Sequence, residues 1–284
     1  MFQSDLLKGK RILVTGGGTG LGRSMAQRYL ELGANVVICG RREEVLKQTA
    51  QELTAESGGA IETVGCDVRI PDAVEAMMDT VWAGGPLDIL VNNAAGQILA
   101  QTHRLSTRAI DSVLGIVLHG SAYCTVAAGR RWIEQGLRDR VVLSILTVSS
   151  LTGAPFTVPS AMAKAGVLAM TRSLAVEWGP KGIRTCAIVP GPFPTEGAWS
   201  RLMPKERGGN EALVRTIPLR RVGEHDELAN LAAYLVSDGA GFVNGEAVVI
   251  DGGKMLQSGG GGASTQSMID WTDEQWDAIR PKRK

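Results

Sequence analysis

The chain has 284 residues, 44% of them hydrophobic, which is enough for one sizeable core and fits a single α/β domain. Its 30 Lys and Arg stand against 29 Asp and Glu, a formal net charge of +1, so neither nucleic acid nor an anionic membrane is expected as a main partner. No apolar run approaches a membrane span and an acid, Asp5, comes almost at once, so neither a bilayer anchor nor a secretory leader is expected.

In chain order, short Val- and Ile-rich runs alternate with longer segments of helical period. Strand Ile12–Val14 is followed by Thr15-Gly-Gly-Gly-Thr-Gly-Leu-Gly22, which opens a helix over Leu21–Leu32. Glycines at that junction permit a tight turn and close approach to a diphosphate, whose charge meets the positive end of the helix. The cofactor-loop candidates are therefore Thr15, Gly16, Gly18, Thr19, Gly20, Leu21 and Gly22.

Strand Val36–Cys39 then runs into Gly40, Arg41 and Arg42, where an enzyme using NAD would carry an acid for the ribose hydroxyls. A guanidinium pairs with a 2′-phosphate that a carboxylate would repel, so NADP(H) is the expected cofactor. Helix Glu43–Glu56, strand Ile61–Val64, helix Asp72–Trp82 and strand Ile89–Val91 follow, and a single long helix is predicted over Thr107–Glu134. Strand Val141–Leu146, helix Ser160–Trp178 and strand Thr185–Val189 come next.

From Pro190 to Asn210 the periodicity breaks over four prolines and several glycines, a length that suits a functional lid. After strand Ala247–Ile250, the run Ser258–Thr265 reads as a flexible linker into a short helix opened by Thr272-Asp-Glu-Gln275, a capping-box pattern. Near-continuous apolar strands alternating with helices predict a doubly wound parallel sheet of about seven strands. The expected divisions are one domain over 1–257, the linker 258–265 and a helical tail 266–284. Four cysteines without ligand spacing (Cys39, Cys66, Cys124, Cys186) point to buried thiols in a reducing cytoplasm and to no metal site.

These motifs resemble the short-chain dehydrogenase/reductase family over nearly the whole chain. Thr15–Gly22 matches its T-G-x-x-x-G-x-G loop, Cys66-Asp-Val68 its adenine-contacting segment, Asn92-Asn-Ala-Ala-Gly96 its N-N-A-G motif and Pro190-Gly-Pro192 its nicotinamide-side loop. The likeness is greatest to the 2,4-dienoyl-CoA and trans-2-enoyl-CoA reductases, carried by Pro159-Ser-Ala-Met-Ala-Lys-Ala-Gly166, Leu174-Ala-Val-Glu-Trp-Gly179, Gly197-Ala-Trp-Ser-Arg-Leu202 and Glu274-Gln-Trp-Asp277. The resemblance implies a Rossmann-type domain, with Asp67, Val68, Asn93, Ala94, Ala95, Lys164, Pro190, Gly191 and Phe193 joining the cofactor contacts. It also implies an acyl-CoA substrate whose phosphates face Arg41, Arg69 and Arg201, and a homotetramer built through the helices containing Tyr123 and Leu168.

The catalytic positions depart from the family's usual Asn, Ser, Tyr and Lys. Lys164 is retained, Thr147 stands for the Ser and Ser160 for the Tyr, and His119 is assigned to the Asn position. Ser149 aligns with the displaced Tyr of mitochondrial dienoyl-CoA reductases. A Ser hydroxyl is far too weak an acid to replace a phenol, so ordinary ketone reduction is disfavoured. Reduction of a conjugated thioester instead needs donors for an enolate oxygen, a role expected of His119 with Thr147 and Ser149. Two alternatives stay open: a keto reductase with an unusual proton path, and a dinucleotide-binding protein without turnover.

Overall fold

The computed structural model describes residues 2–59, 61–195, 209–258, 268 and 271–279. The apolar runs become seven strands: β1 (Arg11–Thr15), β2 (Asn35–Gly40), β3 (Ile61–Gly65), β4 (Ile89–Asn92), β5 (Arg140–Ile145), β6 (Ile183–Pro190) and β7 (Ala247–Ile250). All pair in parallel, in the order β3-β2-β1-β4-β5-β6-β7. The central strands β1 and β4 are buried at every residue, whereas the edge strand β3, with Glu62 and Thr63, is not. Helices must therefore cover both faces.

On one face lie α1 (Gly20–Glu31), α2 (Glu43–Ser57) and α9 (His225–Val236), meeting the sheet through Met25, Tyr29, Leu53, Leu228 and Ala232. The other face carries α3 (Pro71–Ala83), α5 (Gly120–Glu134) and α7 (Val158–Trp178), packed through Met77, Met78, Cys124, Trp132 and Trp178. The Trp132 indole N–H donates to the Leu87 carbonyl at 2.7 Å, so this large side chain is buried with its polar atom satisfied.

The predicted single helix over Thr107–Glu134 is interrupted. It consists of α4 (Thr107–Leu114), a π-helical turn Gly115–His119, and α5. Glycines bracket the turn, and a Cβ on Gly120 would come within 2.6 Å of Val68, so the backbone packs there at a distance no side chain allows. The whole stretch is long and apolar enough to cross a bilayer, with a mean hydropathy of 1.4, yet half of that window is buried within the fold. Its apolarity belongs to a core helix.

Helix α9 lies where no helix is predicted. Glu224 and Glu227 cap it reciprocally, and the spacing of Leu228, Ala229, Ala232, Ala233 and Val236 was the available signal. Shorter helices are α6 (Ser149–Thr152), α8 (Gly209–Arg215), α10 (Lys254–Ser258) and α11 (Asp273–Ile279). Reciprocal bonds between Thr272 and Gln275, at 2.8 and 3.4 Å, open α11 in the capping-box manner. Most of the predicted lid (196–208), Arg201 within it, and linker residues 259–265 lie outside the described residues.

Candidate active site

The strand order reverses between β1 and β4, and the carboxyl ends of those strands frame the crevice where ligands of such sheets bind. The loop after β1 is pinned from three sides. Gly16 N–H donates to the Cys39 carbonyl at 2.8 Å, and Thr49 Oγ1 donates to Gly18 at 2.8 Å. Asn93 Nδ2 donates to the carbonyls of Thr15 and Gly16 at 2.9 and 3.2 Å, while Thr15 Oγ1 accepts from Asn93 and Ala94 N–H, both at 3.0 Å.

Gly16 takes φ +66°, and a Cβ on Gly22 would lie 2.4 Å from the Gly16 carbonyl oxygen. Thr19, at the N-cap of α1, gives the helix no side-chain cap, so the first N–H groups point from a glycine cradle with no side chain closing it. That cradle fits a dinucleotide diphosphate.

At the end of β2, Arg41 and Arg42 are exposed, and Arg42 is the N-cap of α2. Asp67 is engaged: Arg69 donates to it through its backbone N–H at 3.1 Å and its Nε at 2.9 Å. The Arg69 guanidinium, with Arg41 farther off, holds the Asp67 carboxyl below the usual range. Arg69 is thus brought onto Asp67, its stem near Gly115 and its side chain 40% exposed. A carboxylate two residues away is the nearest anion it meets.

Beyond β6, Gly191 N–H donates to the Ile250 carbonyl at 2.9 Å, and the Phe193 side chain is buried in the core beside Gly223. Pro190 ends β6 and Gly191 is tied to β7, while the Phe193 ring serves packing.

Lys164 projects from the buried face of α7 and its Nζ donates to the Ile145 carbonyl at the end of β5. Burial lowers its pKa to about 8. Ser160, one turn earlier on the same face, is buried too; Val68 is buried beneath Gly120, Ala94 lies beside Gly16 and Ala95 is exposed. Thr147 and Ser149 follow β5 and are half-buried. Among the described residues the hydroxyls of Thr147, Ser149 and Ser160 have no hydrogen-bond partner, so they are available to a ligand.

His119 departs from expectation. Val117 is fully buried against Ala163, the neighbour of Lys164. Ser121 Oγ donates to the Val117 carbonyl at 2.7 Å and faces the same way. His119, two residues past Val117, falls on the other side of the helix from that inward face. It is exposed, with its ring centroid 6.0 Å from that of Tyr123.

Gln97 was passed over. It stands exposed on the loop leaving β4, where the next residue, Ile98, packs with Ala163. The loop is tied across the cleft by Ala100 N–H donating to the Phe156 carbonyl at 2.9 Å. Phe156 holds φ +64°, a left-handed conformation rare for a bulky residue and common at functional rims. With Gln101, Thr102, His103 and Pro155 it borders an open hollow of ≈ 560 Å³. The signal for Gln97 was its place directly after Asn92–Gly96.

Residues 16–254 match the family model described as enoyl-(acyl carrier protein) reductase. The chain is 44% identical to a probable 2,4-dienoyl-CoA reductase of Caenorhabditis elegans, covering 89% of this chain and 83% of that one. It is 41% identical to a probable 2,4-dienoyl-CoA reductase of Bacillus subtilis, over 87% and 97% of the two chains. A crystal structure of a short chain dehydrogenase from Bacillus anthracis superposes with a TM-score of 0.78 at 39% identity, covering 87% of this chain and 97% of that one. With its seven-stranded sheet and glycine cradle, the chain belongs to the short-chain dehydrogenase/reductase family, oxidoreductases that bind a nicotinamide dinucleotide.

Proposed function

We propose that the chain reduces unsaturated acyl-CoA thioesters, 2,4-dienoyl-CoA first among them, with NADPH. One observation carries the reading: a buried Lys164 amine with Ser160, not a phenol, one turn before it on the same face. The three tyrosines lie elsewhere, Tyr29 in α1, Tyr123 in α5 and Tyr234 in α9. Burial pushes the Tyr29 phenol up, so it is no acid at neutral pH. Carbonyl reduction would lack its proton donor, whereas hydride addition to a conjugated chain needs only hydrogen-bond donors for charge on the thioester oxygen. The names of the relatives agree with that chemistry.

The bound nicotinamide supplies the hydride. Thr15–Gly22 would hold the diphosphate through backbone N–H groups, and Lys164, with one N–H spent on Ile145, keeps two for ribose hydroxyls. Thr147, Ser149 and the amide of Gln97 are the donors for the thioester oxygen. NADPH is preferred because Arg41 and Arg42 stand exposed at the end of a strand that carries no acid. Arg41, Arg69 and Arg201 remain the proposed contacts to substrate phosphates. The exposed apolar residues Val126, Met162 and Val176 on α5 and α7 fit assembly of a homotetramer, and four buried free thiols fit the cytoplasm.

The test is oxidation of NADPH and of NADH with 2,4-dienoyl-, 2-enoyl- and 3-oxoacyl-CoA in parallel. Turnover of an unsaturated thioester with NADPH is expected. Turnover of the 3-oxoacyl-CoA alone, or tight NADPH binding without turnover of any substrate, would overturn the reading.

A further inference from the structure

Three elements around the dinucleotide crevice meet at one imidazole. His225 is the first residue of α9, and its ring lies half-buried between α1 and the segment that leaves β6. Nε2 stands 2.6 Å from the Pro194 carbonyl oxygen, and Nδ1 stands 2.8 Å from the Ser24 hydroxyl. A carbonyl only accepts, so Nε2 carries the hydrogen; in the neutral ring Nδ1 then accepts from Ser24. The same hydroxyl lies 3.2 Å from the carbonyl of Gly20, the residue that opens α1.

The surroundings join the same three elements. Gly223 N–H donates to the Pro192 carbonyl at 3.0 Å, and the Phe193 ring fills the space where a Cβ on Gly223 would sit. The Thr195 methyl lies 3.2 Å from where a Cβ on Gly20 would be, and Arg28 Nε of α1 donates to Asn230 of α9 at 2.9 Å.

We infer that His225 is a positioning residue that fixes the segment Pro192–Thr195 against the N-terminal turn of α1, so that seating a dinucleotide and placing this segment are coupled. The inference rests on the dinucleotide reading of the glycine loop. No family motif that led to that reading includes His225, Ser24 or Pro194. The requirement is specific: one donor and one acceptor on opposite sides of a single side chain. Pro194 has no N–H of its own to satisfy, and its carbonyl on α9 is what anchors the segment entering residues 196–208.

The test compares His225→Phe, which keeps a ring without nitrogens, with His225→Gln, which keeps a donor and an acceptor, and with Ser24→Ala. NADPH affinity of the full chain is measured by cofactor fluorescence, and hydrogen exchange is followed at the amides of Phe193, Thr195 and Gly223. His225→Phe should weaken NADPH about tenfold, the scale of one or two lost hydrogen bonds, and speed exchange at Phe193 and Thr195. His225→Gln should stay within about threefold of the parent, and Ser24→Ala should fall between the two. Unchanged affinity and exchange in His225→Phe would overturn the inference. So would a loss in His225→Gln as deep as in His225→Phe, since packing alone would then explain it. If His225→Phe does not fold, the Gln and Ala variants decide by the same criteria. Absence of NADPH binding in the parent would instead sink the dinucleotide reading, while exchange would still report whether His225 holds the segment.

Discussion

Lys164 concentrates the conflict between stability and chemistry at the residue scale. Its amine is nearly inaccessible, and burial brings its pKa from 10.5 down to about 8. Below pH 8 the fold therefore carries a buried ammonium, a destabilising arrangement that is relieved as pH rises from about 8 towards 10.5. Lys164→Met should raise stability by roughly 1–3 kcal/mol at neutral pH, with the gain shrinking across that window. The same variant should lose at least about 100-fold in kcat/KM. In the parent, kcat/KM should fall as pH passes about 8, when the amine loses its charge. Denaturant titrations and rate profiles over pH check all three outcomes. His119 makes the opposite prediction: exposed on the outer side of its helix, His119→Ala should retain the reductase rate within about threefold. Arg41→Ala should raise the NADPH dissociation constant about tenfold and leave NADH unaltered, read by direct binding.

Individual elements explain which parts of the site are open to motif reading. The glycine loop is legible because a Cβ at Gly22 would strike the Gly16 carbonyl, so one residue type alone serves. Gly22→Ala should accordingly weaken dinucleotide binding by at least about tenfold, measured by fluorescence titration. The strands are legible for a similar reason, since burial on both faces demands unbroken apolar runs. The π-helical turn at Gly115–His119 is not: its composition, Gly-Ile-Val-Leu-His, is ordinary helix, and only packing against Val68 reveals it. Helix α9 was passed over because its N-cap is Glu224 rather than the Ser, Thr, Asp or Asn that marks most helix starts. Close packing also sets a limit between α5 and α7. A Cβ on Gly129 would lie 2.3 Å from the Trp178 ring, so Gly129→Ala should destabilise by roughly 1–3 kcal/mol, seen as a lowered melting temperature.

Over the whole molecule, α5 and α7 leave Val126, Met162 and Val176 at 47%, 51% and 80% exposure, apolar side chains that a subunit contact would cover. A Met162→Glu, Val176→Glu variant should give a smaller particle by light scattering than the parent if these faces join subunits. The central claim concerns where the hydride goes, because a crevice with Lys164 and Ser160 in place of a phenol is suited to carbon and not to a carbonyl. The direct measurement supplies NADPH deuterated at the transferred position together with a 2,4-dienoyl-CoA and a 3-oxoacyl-CoA, and reads the products by mass spectrometry. The account predicts one deuterium in the acyl chain of an enoyl-CoA product with its thioester intact. Deuterium found only on the hydroxyl-bearing carbon of a 3-hydroxyacyl-CoA, with the dienoyl-CoA untouched, would contradict it.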